Sequence, residues 1–150
     1  KTRFRKKKTS HHYFEHRNSL AWKVAHANTT LLRSKVVSRR QRMRLLYFLI
    51  RPCMMHASET WTWSPELLAP IFTAEREFGR WCLRLSSFLL GRELDADGTQ
   101  SLQEFATWKT DTAREVAIYC YQAGLERWHW SALKSYRNWA RHAARMTIGG

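Results

Sequence analysis

The apolar positions of this chain follow the three- and four-residue spacing of helices, and convincing two-residue alternation is absent. Leu20, Val24, Ala27 and Leu31 recur at steps of four, three and four, one face of a helix expected from about Ser10 to Leu32. Ser38 is placed to cap a second helix that runs through Leu45-Leu46-Tyr47-Phe48-Leu49-Ile50. That run is apolar all round, which predicts deep burial, and Pro52 kinks or ends it. Ser64-Pro65-Glu66 reads as a helix start, although Pro70 can shift the start to that point. Leu67, Ile71, Phe78, Trp81 and Leu85 then share one stripe.

Gly91 to Thr99 reads as a loop. Ser101-Leu102-Gln103-Glu104 fits a capping box that opens a helix closed by Gly124. A last helix is expected from near Leu125 to about Met146. Val116 to Tyr121 alone can pass for a strand. The expected fold is therefore all-α, a helical bundle of about four to five helices with a basic N-terminal arm over residues 1–9. Residues 10–90 and 101–150 form two helical regions, joined by an acidic loop over 91–100.

A length of 150 residues suits one domain with a modest core, and 44% of the residues are hydrophobic. No apolar run approaches the roughly 18 residues of a membrane span, and no signal peptide follows the basic start. No membrane partner is expected. A first residue Lys1 and a last pair Gly149-Gly150 read as a piece of a longer polypeptide. Cys53, Cys82 and Cys120 stand 29 and 38 residues apart with no CxxC pair. They are expected to be reduced, part-buried thiols of an intracellular protein rather than zinc ligands or disulfides.

Charge changes the picture more. The net charge is +14, and residues 1–52 alone hold 15 Lys and Arg against one acid, Glu15. Residues 53–104 hold 4 against 8, and residues 105–150 hold 7 against 3. Such a block implies a polyanionic partner. Nucleic acid fits better than a membrane surface, because Trp and Tyr are abundant and no basic amphipathic anchor dominates.

Two places concentrate the cations. On the last helix, Leu125, Trp128, Ala132, Tyr136, Trp139, Ala143 and Met146 fall within about an 80° arc at 100° per residue, and are expected to face inward. Arg127, Trp130, Lys134, Arg137, Arg141 and Arg145 fall on the opposite side with no acid among them. Cations hold phosphates and an exposed indole stacks on an unpaired base. The alternative is a solvated basic face with a Trp packed on a neighbouring helix. At the start of the second helix, Arg39, Arg40, Arg42 and Arg44 crowd the positive end of the macrodipole, at a cost of about 0.3–1 kcal/mol each. A bound phosphate would relieve that repulsion and meet free amides, and Arg33 and Lys35 precede it. Plain solubility charge and an acidic partner surface are the alternatives.

At this point the residues carry a family resemblance. Arg33-Ser34-Lys35-Val36-Val37-Ser38 leads into the basic-then-apolar helix, Pro52, and the string His56-Ala57-Ser58-Glu59-Thr60-Trp61-Thr62. This resembles the segment after the polymerase core of non-LTR (LINE-type) retrotransposon reverse transcriptases, with its "YGxETWT"-like string. His56 and Ala57 stand where that family usually has Tyr and Gly. Arg80-Trp81-Cys82-Leu83-Arg84 resembles an "RxCLRR"-like stretch, and Trp108-Lys109 with Thr112 a "W-(x)-R-x-T" segment. Trp139-Ala140-Arg141-His142-Ala143-Ala144-Arg145-Met146 resembles a "WAGHVARM"-like signature with Arg141 in the Gly place.

The resemblance covers roughly residues 20–146. It implies a thumb-like region over 10–90 and a linker-like region over 101–150, which cradle an RNA–DNA template–primer duplex without base-specific readout. It also implies an upstream polymerase domain in the parent chain, an RNA-directed DNA polymerase, and a nuclear location. A YxDD-type aspartate motif and a CCHC knuckle are both missing from the chain. Two-metal nucleotidyl transfer needs clustered carboxylates, so no catalytic residue, metal site or cofactor is expected in this segment itself.

Rival readings remain beside this one. Glu93 to Glu104 fits an EF-hand loop at several positions, but Glu93 replaces the first Asp, Gln100 takes an apolar position and no second hand exists. A plain acidic loop is the simpler reading. His11, His12 and His16 can approach one another on a helix, yet lysines crowd them. Trp61 and Trp63 fit a core contact better than a base-stacking platform. For the whole chain the alternatives are a helical protein-interaction module whose basic arm meets an acidic partner, or an inactive retroelement remnant.

Overall fold

Local polar chemistry sets most helix boundaries in this chain. The computed structural model describes residues 8–61, 63–85 and 102–148. Helix α1 spans Lys8–Ala27 and the single turn α2 spans Thr29–Leu32. Asn28 divides them: its Nδ2 donates to the Val24 carbonyl at 2.8 Å, and the Thr29 hydroxyl donates to the His26 carbonyl at 2.7 Å. Side chains that bond locally to backbone offer an alternative to the helical ladder. Helix α3, Arg39–Leu49, starts at Ser38, whose Oγ accepts from the Gln41 amide at 3.2 Å while Gln41 Oε1 accepts from the Ser38 amide at 3.3 Å. This reciprocal box satisfies two donors at once.

Pro52 then deflects the chain into the short helix α4, Arg51–Met54. A left-handed Ala57, φ 57°, leads into a 3-10 turn over Ser58–Thr60. Helix α5, Pro65–Leu83, begins at Pro65 and keeps Pro70 inside, so the later start is not used. Helix α6 covers Leu102–Gln122 and helix α7 covers Trp128–Ile148. Gly124, φ 67°, closes α6 as expected: the Leu125 amide donates to the Cys120 carbonyl at 2.9 Å, and the Gly124 amide to the Tyr121 carbonyl at 3.0 Å. Among the described residues all regular structure is helical, so the bundle is all-α. The strand-like run Val116 to Tyr121 lies within α6, where Val116 and Cys120 are buried while Ile118 and Tyr121 are exposed. The acidic loop 91–100, most of the EF-hand-like stretch, and residues 1–7 of the arm lie outside the described residues; Lys8 and Thr9 belong to α1.

The buried faces differ from expectation in two helices. In α1 the core takes Phe14, Ala21 and Ala25, and Leu32 follows from α2; Leu31 is exposed. Phe14, Ala21, Ala25 and Leu32 stand at steps of seven, four and seven, one stripe that continues through Asn28. It lies one position on from the expected one because small alanines rather than the larger apolar residues enter the core. In α3 the core takes Met43, Leu46 and Tyr47, while Phe48 is 78% exposed. The other helices cover only one side of α3, and an apolar residue on its outer side stays in water.

Helix α5 is the axis of the bundle and packs against α1, α3, α6 and α7. Phe78 on it is stacked by Trp22 at 4.0 Å between ring centroids and met by Trp128 at 5.8 Å. Trp61 is buried and meets Phe14 edge-on at 6.3 Å, so it serves the core. Gly79 marks the closest approach of α5 to α6: a Cβ there would lie 2.6 Å and 2.9 Å from the two Val116 methyls.

The centre of the bundle is polar. Glu75, 1% exposed, accepts from the Tyr47 hydroxyl, from Arg127 Nε at 2.8 Å and from the Trp128 amide at 3.1 Å. Cys120 Sγ lies 3.2 Å from the Tyr47 oxygen. The phenol hydrogen goes to Glu75, so the thiol is the donor in that contact. Burial, then the Glu75 charge, hold the Tyr47 phenol far above its usual range, and burial pushes the Cys120 thiol up. Both groups stay protonated. The Trp128 amide is the first donor of α7, so Glu75 caps that helix from 53 positions away.

The Gly79 contact predicts that Gly79→Ala destabilises the fold by about 1–3 kcal/mol, because overpacking outweighs the helical preference for Ala. Adding Val116→Ala should recover part of the loss over Val116→Ala alone. Urea unfolding of the four proteins measures this; additive losses would mean the two positions do not meet.

Candidate nucleic-acid interface

Twelve candidate residues divide into those whose charge is engaged within the fold and those whose charge reaches solvent. Arg42 belongs to the first group. It is buried, and its Nη1 donates to the Cys82 carbonyl at 2.6 Å, in the last turn of α5. Arg127 also turns inward, onto Glu75. Burial acts to lower the Arg127 pKa, but the Glu75 charge and hydrogen bond outweigh it and the net shift is upward. Arg39 is held by Glu115 at 2.8 Å and lies 5.8 Å from the Tyr119 ring centroid. Arg44 Nε donates to the Ala123 carbonyl at 3.3 Å, just past the end of α6. Arg33 is half-buried, with its guanidinium 5.5 Å from the Trp81 ring centroid.

The arginines at the start of α3 are thus arranged differently from the sequence expectation. The amide end of α3 is partly closed by the Ser38–Gln41 box. Arg42 and Arg44 instead reach the carbonyl ends of α5 and α6, where a cation is favourable. Charges misplaced on their own helix are well placed on its neighbours. Lys35 and Arg40 are exposed, and among the described residues no side chain pairs with them.

Helix α7 supplies the rest. Its 21 residues contain no Asp or Glu. Trp128 and Ala132 are buried, but beyond Ala132 none of its described residues is. Arg137, Arg141 and Arg145 are exposed, and among the described residues none has an acidic partner. Lys134 is exposed but pairs with Glu126. Trp130 is 57% exposed, with its ring 5.2 Å from that of His129.

The opposite face corrects an expectation. Trp139 and Met146, expected to point inward, are 46% and 69% exposed, and Tyr136 and Ala143 are half-buried. Trp128 and Ala132 alone among its described residues are buried; α5 and the Ser58–Thr60 turn are its principal supports, and Leu133, Tyr136, Ala140 and Ala143 form one half-buried side. The arginine stripe of the second half is exposed, and on the other stripe Trp139 and Met146 also reach solvent. The helix also joins the two strings that carry the family resemblance, since α7 packs on the turn formed by Ser58-Glu59-Thr60.

Other places fit poorly. A groove of about 380 Å³ between α1 and α5 is lined by Phe14, Asn18, Pro70, Thr73 and Glu77 among others, with no cation to hold a phosphate. Among the described residues no three His, Cys, Asp or Glu come together as a metal set, and His11 is bonded to Glu15 at 3.2 Å. Among the described residues no helix is long and apolar enough to cross a membrane. Comparison with known protein families, curated proteins and solved structures finds no match to this chain.

The division of cations predicts opposite outcomes for two similar changes. Arg127→Gln should cost about 3–5 kcal/mol of stability, because it strips a cation from a buried carboxylate. Arg137→Gln should stay within about 0.5 kcal/mol of the parent. Chemical denaturation of both variants checks the contrast, and equal losses would refute it.

His129 gives a pH dependence. Burial lowers its pKa below the ordinary 6.5, against the pull of Glu75 and with the push of Arg127. The unfolded chain binds the proton more readily, so stability is complete above about pH 6.5 and falls as pH drops through that value towards the folded pKa. His129→Gln should remove this increment from the stability–pH curve between about pH 7 and 5. A superimposable curve would show that His129 does not contribute.

Proposed function

We propose that this chain is a nucleic-acid-gripping segment, of the kind that follows the polymerase core in non-LTR retrotransposon reverse transcriptases. The observation that carries the reading is the second half of α7, acid-free, with Arg137, Arg141 and Arg145 in water. Three guanidiniums at steps of four repeat every 6 Å or so along the helix, a spacing close to that of successive phosphates. Lys35 and Arg40, just before and within the first turn of α3, add two further unpaired cations. Trp130 and Trp139 offer faces on which an unpaired base can stack. The contact between α7 and the Ser58–Thr60 turn supports reading the two resemblance-bearing strings as parts of one unit. In this reading the partner is an RNA–DNA duplex held through its backbone, and the polymerase chemistry belongs to the parent protein.

A protein partner is the second reading. Trp139 and Met146 beside the arginines would suit an acidic, apolar peptide.

Fluorescence anisotropy with an RNA–DNA duplex across about 50–200 mM salt separates the two. Affinity should fall steeply with salt. Replacing Arg137, Arg141 and Arg145 with Gln should lower the log–log slope by about 2–3 and leave the helical circular dichroism intact. A salt response that is flat, or unchanged by the triple variant, defeats the proposal.

A further inference from the structure

Away from α7, four arginines converge where the segment after α2, the start of α3 and the end of α5 meet. The α5 terminus organises them. Arg84 adopts the left-handed conformation, φ 58°, that usually falls to glycine, and closes the helix with a Leu85 amide to Arg80 carbonyl bond of 3.0 Å. From there its Nη1 donates to the Arg33 carbonyl at 3.2 Å. Cys82 Sγ donates to the Leu32 carbonyl at 3.2 Å, and the Cys82 carbonyl receives Arg42. Arg33 is thereby held to the helix end that carries Arg84, and Arg42 lies beneath it. Arg39 stands one turn before Arg42 at the start of α3, and its charge bears on Arg42 together with those of Arg84 and Arg33.

The group is short of anions. Among the described residues Glu115 pairs with Arg39, and no carboxylate pairs with Arg33, Arg42 or Arg84. The Nε atoms of Arg33 and Arg42 are buried without a hydrogen-bond partner. Buried donors left unpaired each cost free energy, and four like charges repel. Burial followed by the neighbouring cations lowers the Arg42 pKa, while the Cys82 thiol is pushed up to about 12 by its own burial. The thiol therefore supplies no counter-charge.

We propose that this cluster is a phosphate-binding site separate from the α7 face, with Arg84, Arg33 and Arg39 reaching the anion and Arg42 fixed beneath as a buried charge. A dianionic phosphate offers the fork-matching oxygens that guanidiniums take in pairs. Three sources share that chemistry: a free phosphate, the terminal phosphate of a strand, or a backbone phosphodiester. Only the last two rest on the nucleic-acid reading.

Calorimetric titration of the whole chain with inorganic phosphate tests the site without nucleic acid. Saturable binding is expected, weakened at least tenfold by Arg84→Gln, partly kept by Arg84→Lys, and unchanged in the Arg137, Arg141 and Arg145 triple Gln variant. Absence of saturable binding, or binding that survives Arg84→Gln together with Arg33→Gln in a folded protein, overturns the site. If phosphate binds this way but the duplex does not, the site stands and the nucleic-acid reading fails. Oligonucleotides of one sequence with a 5′-phosphate or a 5′-hydroxyl then identify the source: preference for the phosphate, lost in Arg84→Gln, assigns a strand end, and equal binding that Arg84→Gln weakens assigns the backbone.

Discussion

The Glu75 carboxylate holds four helices in one arrangement. It sits on α5 and receives Tyr47 from α3 and the Arg127–Trp128 corner at the head of α7, while Cys120 of α6 joins through the Tyr47 oxygen. A carboxylate in an apolar core is unfavourable unless paired and hydrogen-bonded, and here both conditions are met. The arrangement is also directional. Stacked rings such as Trp22 on Phe78 tolerate sliding, whereas three donors meeting one carboxylate fix where each helix must stand.

The same economy of charge explains how a chain of net charge +14 folds at all. Helix ends in the bundle are matched to side chains from other helices. Arg42 and Arg44 attend the carbonyl ends of α5 and α6, and Glu75 attends the amide end of α7. Each match sets a charge against the opposite end of a neighbour's dipole. Cations engaged in this way cannot also reach a polyanion. Those left over for a partner are Lys35 and Arg40 near α3 and the arginines of outer α7, together with Arg33, Arg39 and Arg84 of the proposed phosphate site.

Helix positions were legible in the sequence wherever the signal was local. The Ser38–Gln41 cap, the Pro52 break and the Gly124 stop all rest on side chains or backbone angles within a few residues. What was illegible depended on distant partners. Helix α7 begins at Trp128, not near Leu125, because Glu75 waits there. Arg127 falls beside Lys134 in a helical projection, yet Glu75 turns it inward, and Arg42, about 200° from Arg40 on the side of Leu46, meets the Cys82 carbonyl forty positions away. Burial of Trp139 and Met146 was inferred from periodicity, which gives a face but not the length of helix that a core covers. Of the candidate interface, the outer arginines of α7 were readable; Arg84 was not, since its role follows from the helix end it closes and the strand of chain it holds.

Anchoring α7 at one end has a mechanical consequence. Glu75 caps its first turn, Trp128 and Ala132 enter the core, and the Ser58–Thr60 turn supports its side. Beyond Ala132 none of its described residues is buried, so the contacts of its first turns, with that of the Ser58–Thr60 turn, set its direction. An α-helix is stiff over this length, and the orientation of the arginine row in space follows from the geometry at Glu75. A change at Glu75 would therefore act on a surface it never touches, by re-aiming a rigid arm rather than by altering any of the arginines on it. The buried network and the exposed row are two ends of one element, and the precision of the second is limited by the rigidity of the first.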